Sequence, residues 1–181
     1  VQRATLHNVD YIETLDLYQG DTVAVQKAGD IIPEVTTVIK AHRSSQAVPV
    51  DIPQVCPECH SDLVRLHEEV ALRCINPLCP AQALAQLAYF ISRGAMDIRG
   101  LGQRVLEELL KAGLIQDVAD LYYLQEEDFL QLPNTKERSA HNLYTAIQGS
   151  KKHSYERLLT GLGIRHVGAQ IALQLAQHFP S

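Results

Sequence analysis

Four cysteines constrain this chain more than any other feature of its sequence. They read Cys56-Pro-Glu-Cys59, then fourteen residues, then Cys74-Ile-Asn-Pro-Leu-Cys79, so all lie within 24 residues and the other 157 positions have none. A CxxC turn aims two thiolates at one point, and a second close pair completes a tetrahedral site. Four thiolates saturate zinc and leave no place for water, so such a site is structural. The segment is too short to bury much core, so metal binding would supply its folding energy. Pro57, Pro77 and Pro80 stiffen the turns. The same cysteines could instead form two disulfides, stay idle, or hold an iron–sulfur cluster, although the spacing is not that of ferredoxins. His60 and His67 are substitute ligands within reach in sequence.

The segments around the cysteines differ in texture. Residues 1–50 are rich in β-branched residues and turns. Val1 to Leu6 reads as a strand. Gly20-Asp21 precedes Thr22-Val23-Ala24-Val25, a second strand, and Ala28-Gly29-Asp30 turns into a third, Ile31 to Ile39. The last two form a hairpin, with Pro33 predicting an edge or a bulge near its start. His42 to Pro53, with two Ser, a Gln and two Pro, reads as a linker.

Residues 81–181 read as helical. Leu84, Leu87, Ala88 and Ile91 share one face, as do Val105, Leu106, Leu109 and Leu110 in the next helix, which Gly113 ends. Ala140, Leu143 and Ile147 mark a third helix, and Ile171, Leu175 and Phe179 line the last. Ile98-Arg99-Gly100-Leu101-Gly102 directly precedes one amphipathic helix and follows another, which is the helix-hairpin-helix signature. Its glycines let backbone approach a phosphate, and the N–H groups opening the next helix face the phosphate oxygens. Such contacts position a duplex without reading its bases. Ile164-Arg165-His166-Val167-Gly168 repeats the layout with His166 at the first glycine position. Leu132-Pro133-Asn134-Thr135-Lys136 repeats it with Asn134 and Lys136 at both. Asn accepts a left-handed backbone and Lys does not, so this copy reads as a packing partner as readily as a clamp. Arg99, Gly100, Gly102, Lys136, Arg165 and Gly168 are the candidate DNA contacts. Lys136, Arg138, Lys151 and Lys152 form a basic flank or a solvated face.

Charge limits what such contacts can be. The net charge is −5, which argues against a broad electrostatic grip on nucleic acid. Only Pro133 to Gly168 is locally basic, with six Lys/Arg against two Glu. No apolar run approaches the roughly 20 residues of a membrane span. With no initiator Met, the sequence reads as a piece of a longer protein.

Taken in order, these residues resemble the bacterial NAD⁺-dependent DNA ligases. Arg3-Ala4-Thr5-Leu6-His7-Asn8, Gly20-Asp21-Thr22-Val23 and Lys27-Ala28-Gly29-Asp30-Ile31-Ile32-Pro33 are similar to that family's oligonucleotide-binding (OB) domain. The cysteines resemble its zinc finger. Ser92-Arg93, Ala95-Met96-Asp97-Ile98, Gly100-Leu101-Gly102, Lys136, Ser139-Ala140, Asn142-Leu143 and Leu162-Gly163-Ile164-Arg165 with Val167-Gly168 resemble its helix-hairpin-helix domain. The resemblance implies a multidomain α+β chain. Its parts are a partial OB-fold β-barrel with linker (residues 1–53), a four-cysteine zinc finger (54–80) and a truncated all-α helix-hairpin-helix domain (81–181).

It also implies a role. The parent enzyme would seal nicks between 3′-hydroxyl and 5′-phosphate ends in replication and repair, using NAD⁺ and Mg²⁺. This chain would supply structural Zn and a grip on nicked duplex DNA. It would be a monomer with no membrane partner, in the bacterial cytoplasm at the nucleoid. No Lys-x-Asp-Gly adenylation motif occurs in it, so the chain alone is expected to be inactive. Lys27 matches a basic position of the OB domain and is its candidate phosphate contact. The resemblance also implies an Arg two residues before Gly20, where this chain has Tyr18; His7 and Asp30 match in type, without an assigned role. Two other readings compete: a junction-binding protein with OB and hairpin domains but no zinc finger between them, and a zinc-ribbon scaffold whose helices bind protein.

Overall fold

The computed structural model describes residues 1–29, 32–66 and 69–179. Asp30, Ile31 and His67, which the sequence singled out, lie outside the described residues. The chain forms two compact units, Val1–Asn76 and Pro77–Ser181.

The first unit opens with a short helix, α1 (Val9–Leu15), that the sequence reading did not anticipate. Asn8 caps it, its Oδ1 accepting the Tyr11 N–H at 2.9 Å. β1 (Tyr18–Gln19) follows, then the hairpin of β2 (Val23–Ala28) and β3 (Ile32–Val38). The expected first strand, Val1 to Leu6, is reduced to one parallel bridge between Thr5 and Glu34. That bridge explains Pro33. The Pro33 carbonyl accepts from Thr5 N at 2.7 Å, and Val35 N donates to Thr5 O at 3.2 Å. The missing N–H of Pro33 therefore points away from β2, where the hairpin ladder does not need it. The bulge lies farther on, where the register jumps from Ala24↔Thr37 to Val25↔Val35. It leaves Thr36 unpaired.

The stretch expected to be a linker is partly ordered. A 3-10 turn spans Lys40–His42, and β4 (Val48–Pro49) pairs antiparallel with β1. The core here is thin. Val35 and Val38 of β3 are its buried aliphatic residues, and the Tyr11 hydroxyl of α1 donates to the Val35 carbonyl at 2.8 Å. β5 (Leu63–Arg65) and β6 (Leu72–Cys74) form a second hairpin between the two cysteine pairs. Arg65 of β5 pairs with Asp10 of α1 at 2.7 Å.

The second unit is helical: α2 (Pro80–Phe90), α3 (Gln103–Lys111), α4 (Glu126–Leu130), α5 (Glu137–Ser150), α6 (Tyr155–Gly161) and α7 (Ala169–His178). The predicted apolar faces of α2, α3 and α5 point inward. Leu87, Leu106, Leu109, Ala140, Leu143 and Ile147 are buried in one core with Phe90, Ile98, Leu121 and Phe129. The last helix differs from expectation. Its buried residue is Ala172, whereas Ile171 and Phe179 are 44% and 67% exposed. A small residue faces inward because α7 packs against α6 rather than against the main core. Among the described residues, no helix is long and apolar enough to cross a membrane.

Candidate metal centre and hairpin surface

The four cysteines come together. Their sulfurs all lie within 4.8 Å of one another, and those of Cys59 and Cys74 are 3.5 Å apart. A tetrahedral zinc with bonds of about 2.3 Å needs sulfurs about 3.8 Å apart, so the cluster fits that ion. At 3.5 Å the Cys59–Cys74 pair is too long for a disulfide bond of about 2.05 Å. The turn after the first pair is built by Cys56 N donating to Ser61 O at 2.8 Å and His60 N donating to Cys56 O at 2.9 Å. β6 delivers Cys74, paired with Leu63 of β5. Cys79 caps α2, with Pro80 as the first helical residue and Gln82 N donating to the Cys79 carbonyl at 3.0 Å. A thiolate there gains from the positive end of the helix.

Cys56 and Cys79 are buried, and Cys59 and Cys74 are half-buried. Hydrogen bonds from Ser61, first from its side chain and then from its backbone, hold the Cys59 thiol down to about 6, with smaller help from Asn76 and Cys74. This favours the thiolate of Cys59, the form that ligates metal. His60 is exposed at φ 58° and is not among the converging ligand atoms.

The three hairpins share one backbone design. Gly100, Asn134 and His166, the first-glycine positions, have φ of 86°, 60° and 63°. Gly102, Lys136 and Gly168, the second positions, are N-caps of α3, α5 and α7 with φ of −92°, −108° and −84° and extended ψ. This corrects the sequence argument about Lys136. The second position needs no left-handed backbone, so lysine sits there without strain. The middle hairpin therefore has the same shape as the first.

Gly100 and Asn134 also line one groove of about 390 Å³, together with Arg104, Thr135, Ser139 and Asn142. The first two hairpins thus act on one surface. Sequence reasoning did not name Arg104, and it quoted Asn142 only for the family resemblance, not as a candidate contact. Their signal was the position of both residues on the helices that the hairpins open. Arg99 projects from its turn with a side chain 83% exposed, 3.3 Å from Asp97. Lys136 and Arg165 are exposed at their hairpins, and Lys27 is exposed on β2 in the first unit.

At the position where an arginine was expected, the Tyr18 ring carries the guanidinium of Arg43 at 4.0 Å. Arg43 Nε and Nη2 grip both Asp21 oxygens at 2.8 and 2.9 Å, so this arginine is committed to the fold. His7 Nε2 lies 2.9 Å from Glu34 Oε2, which places His7 in a turn-holding pair.

An OB-type unit, a four-cysteine metal site and repeated helix-hairpin-helix units define a class of multidomain nucleic-acid-binding proteins. Residues 1–47 match the NAD-dependent DNA ligase OB-fold domain, and residues 55–81 match the NAD-dependent DNA ligase C4 zinc finger domain. Residues 157–181 match the helix-hairpin-helix motif. The first two matches are to domains of NAD-dependent DNA ligases, and all three fall in the order of OB segment, zinc finger and hairpin domain that the sequence resemblance implies.

Proposed function

We propose that this chain is the DNA-gripping portion of a ligase that seals nicks between 3′-hydroxyl and 5′-phosphate ends during replication and repair. The observation that supports this most directly is the shared hairpin geometry. At each of three sites a left-handed residue is followed, two positions on, by an extended N-cap whose side chain makes no capping hydrogen bond to the first amides of α3, α5 or α7. Unpaired N–H groups at helix starts bind phosphate oxygens, and the local dipole favours negative charge. Gly102 and Gly168 have open space where a Cβ would stand. Among the described residues no contact demands glycine there, which fits a backbone kept bare for a partner.

The roles divide accordingly. Gly100, Gly102, Lys136 and Gly168 bring backbone to phosphates, and Arg99, Arg165 and Lys27 add charge. Cys56, Cys59, Cys74 and Cys79 hold a structural zinc that orders residues 54–80, between the OB segment (1–53) and the hairpin domain (81–181). NAD⁺ and Mg²⁺ serve adenylate transfer elsewhere in the parent enzyme, and this chain supplies position rather than chemistry. It acts as a monomer in the cytoplasm, at the nucleoid.

The test is binding to nicked and intact duplexes of several sequences at low and moderate salt, on protein holding one zinc per chain. Expected are affinity that falls with salt and ignores sequence, a loss in Gly100→Val and Gly102→Val, and no sealing by the chain alone. Zinc-loaded, folded protein that binds no duplex at low salt would sink the reading.

A further inference from the structure

Beside the first hairpin lies a cavity that hairpin clamping does not use. It measures about 420 Å³ and is lined by Met96, Tyr122, Lys151, His153, Tyr155 and Leu158. That volume lies inside the range of about 300–1,000 Å³ typical of small-ligand sites. Its aromatic wall is held in place. The Tyr122 hydroxyl is 3.0 Å from Ser150 Oγ, which donates to the Ile147 carbonyl at 2.7 Å. Phe90 meets the same ring edge-on, with centroids 6.2 Å apart. Lys151 Nζ lies 5.6 Å from the Tyr122 centroid.

A second cleft of about 330 Å³ adjoins it through His153 and contains Arg99 and Asp97. Arg99, which lies 3.3 Å from Asp97, then His153 and then Lys151 thus follow one another from the first hairpin to the cavity. Lys151-Lys152-His153 forms the turn between α5 and α6. Among the described residues, none lining the larger cavity is a carboxylate.

We propose that this cavity takes one unstacked nucleobase of a DNA strand whose backbone passes Arg99, with the base against Tyr122 and Tyr155 and its phosphate at Lys151 and His153. The inference rests on the DNA-binding reading and adds a substrate preference to it. Stacking on an aromatic face tolerates any base, because every base has a π-face. The Lys151 ammonium on the rim supplies charge for a phosphate, and the apolar lining of Met96 and Leu158 suits the ring of a base rather than its sugar. A duplex with an unpaired nucleotide beside a nick is therefore held more tightly than a fully paired one.

The experiment uses the zinc-loaded chain and three probes: a fully paired nicked duplex, the same duplex with one unpaired 2-aminopurine at the nick, and free 2-aminopurine deoxynucleoside monophosphate. The unpaired duplex is expected to bind on the order of tenfold more tightly than the paired one, with its fluorescence changed by stacking. Tyr155→Ala removes that gain and the fluorescence change while leaving the paired duplex bound as before. Lys151→Ala, a surface change that spares the core, lowers the gain. Equal affinity for both duplexes with unchanged fluorescence overturns the proposal and leaves the hairpin reading intact. Binding of neither duplex overturns both. Binding of the free mononucleotide without any preference for the unpaired duplex overturns it in favour of a small-molecule site.

Discussion

Gly100, Asn134 and His166 share little chemistry, yet each holds the left-handed backbone that opens its hairpin. The constraint at this position is a dihedral angle, and glycine is only its cheapest solution. Asn134→Gly is therefore expected to keep or raise stability. Asn134→Val, which adds a β-branched side chain at positive φ, should cost about 1–2 kcal/mol in urea unfolding. A tolerated valine would show that the turn relaxes to another conformation. Arg43 makes a different kind of prediction. Its hydrogen bonds hold the Asp21 carboxyl below its usual range, while Lys40 first and then Arg43 do the same for Asp16. Carboxyls depressed in the folded state stabilise it above their unfolded pKa of about 3.9, and that stability is lost as pH falls through the lower folded value. Wild type should thus exceed Arg43→Met in stability at about pH 6, with the gap closing below about pH 4. A constant gap would mean that packing on Tyr18, not charge, is what Arg43 contributes.

Whole elements were legible where the apolar period is strong and buried. α2, α3 and α5 carry leucines on one face, and those leucines form the core. α1 was missed because its seven residues bury none of their side chains; an Asn8 cap and contact with β3 set it, and neither makes a helical stripe. β4 was missed because two residues paired with β1 carry no period at all. On α7 the period was visible but its direction was not. Ala172 faces inward while the larger Ile171 and Phe179 face out, since sequence shows a stripe and not what covers it. The convergence of the four cysteines was legible, because ligands that meet at one point leave their paired spacing in the chain. That site predicts an element-level response. Residues 54–80 have two three-residue strands and little core to hold them. A chelator, or Cys59→Ser, should therefore release their amides to hydrogen exchange, while the amides of α3 and α5, whose core contains no cysteine, stay protected. Unchanged exchange across the finger after chelation would mean that it folds without metal.

On the scale of the whole molecule, a net charge of −5 has to be reconciled with a polyanionic partner. Backbone amides can reconcile it, since they bind phosphate without adding formal charge. The two kinds of contact leave different marks on the salt dependence of binding. If Lys27, Arg99, Lys136 and Arg165 each neutralise one phosphate, log K should fall against log salt with a slope of about −3.6. Lys136→Ala should then weaken binding to every sequence and flatten the slope by about 1. Gly100→Val blocks an amide approach, so it should weaken binding as much or more and leave the slope unchanged. Titrations of both variants across a series of salt concentrations separate the two effects. A wild-type slope near zero would place the grip on amides alone. A slope change in Gly100→Val would mean instead that the hairpin turn governs where the neighbouring Arg99 reaches the duplex.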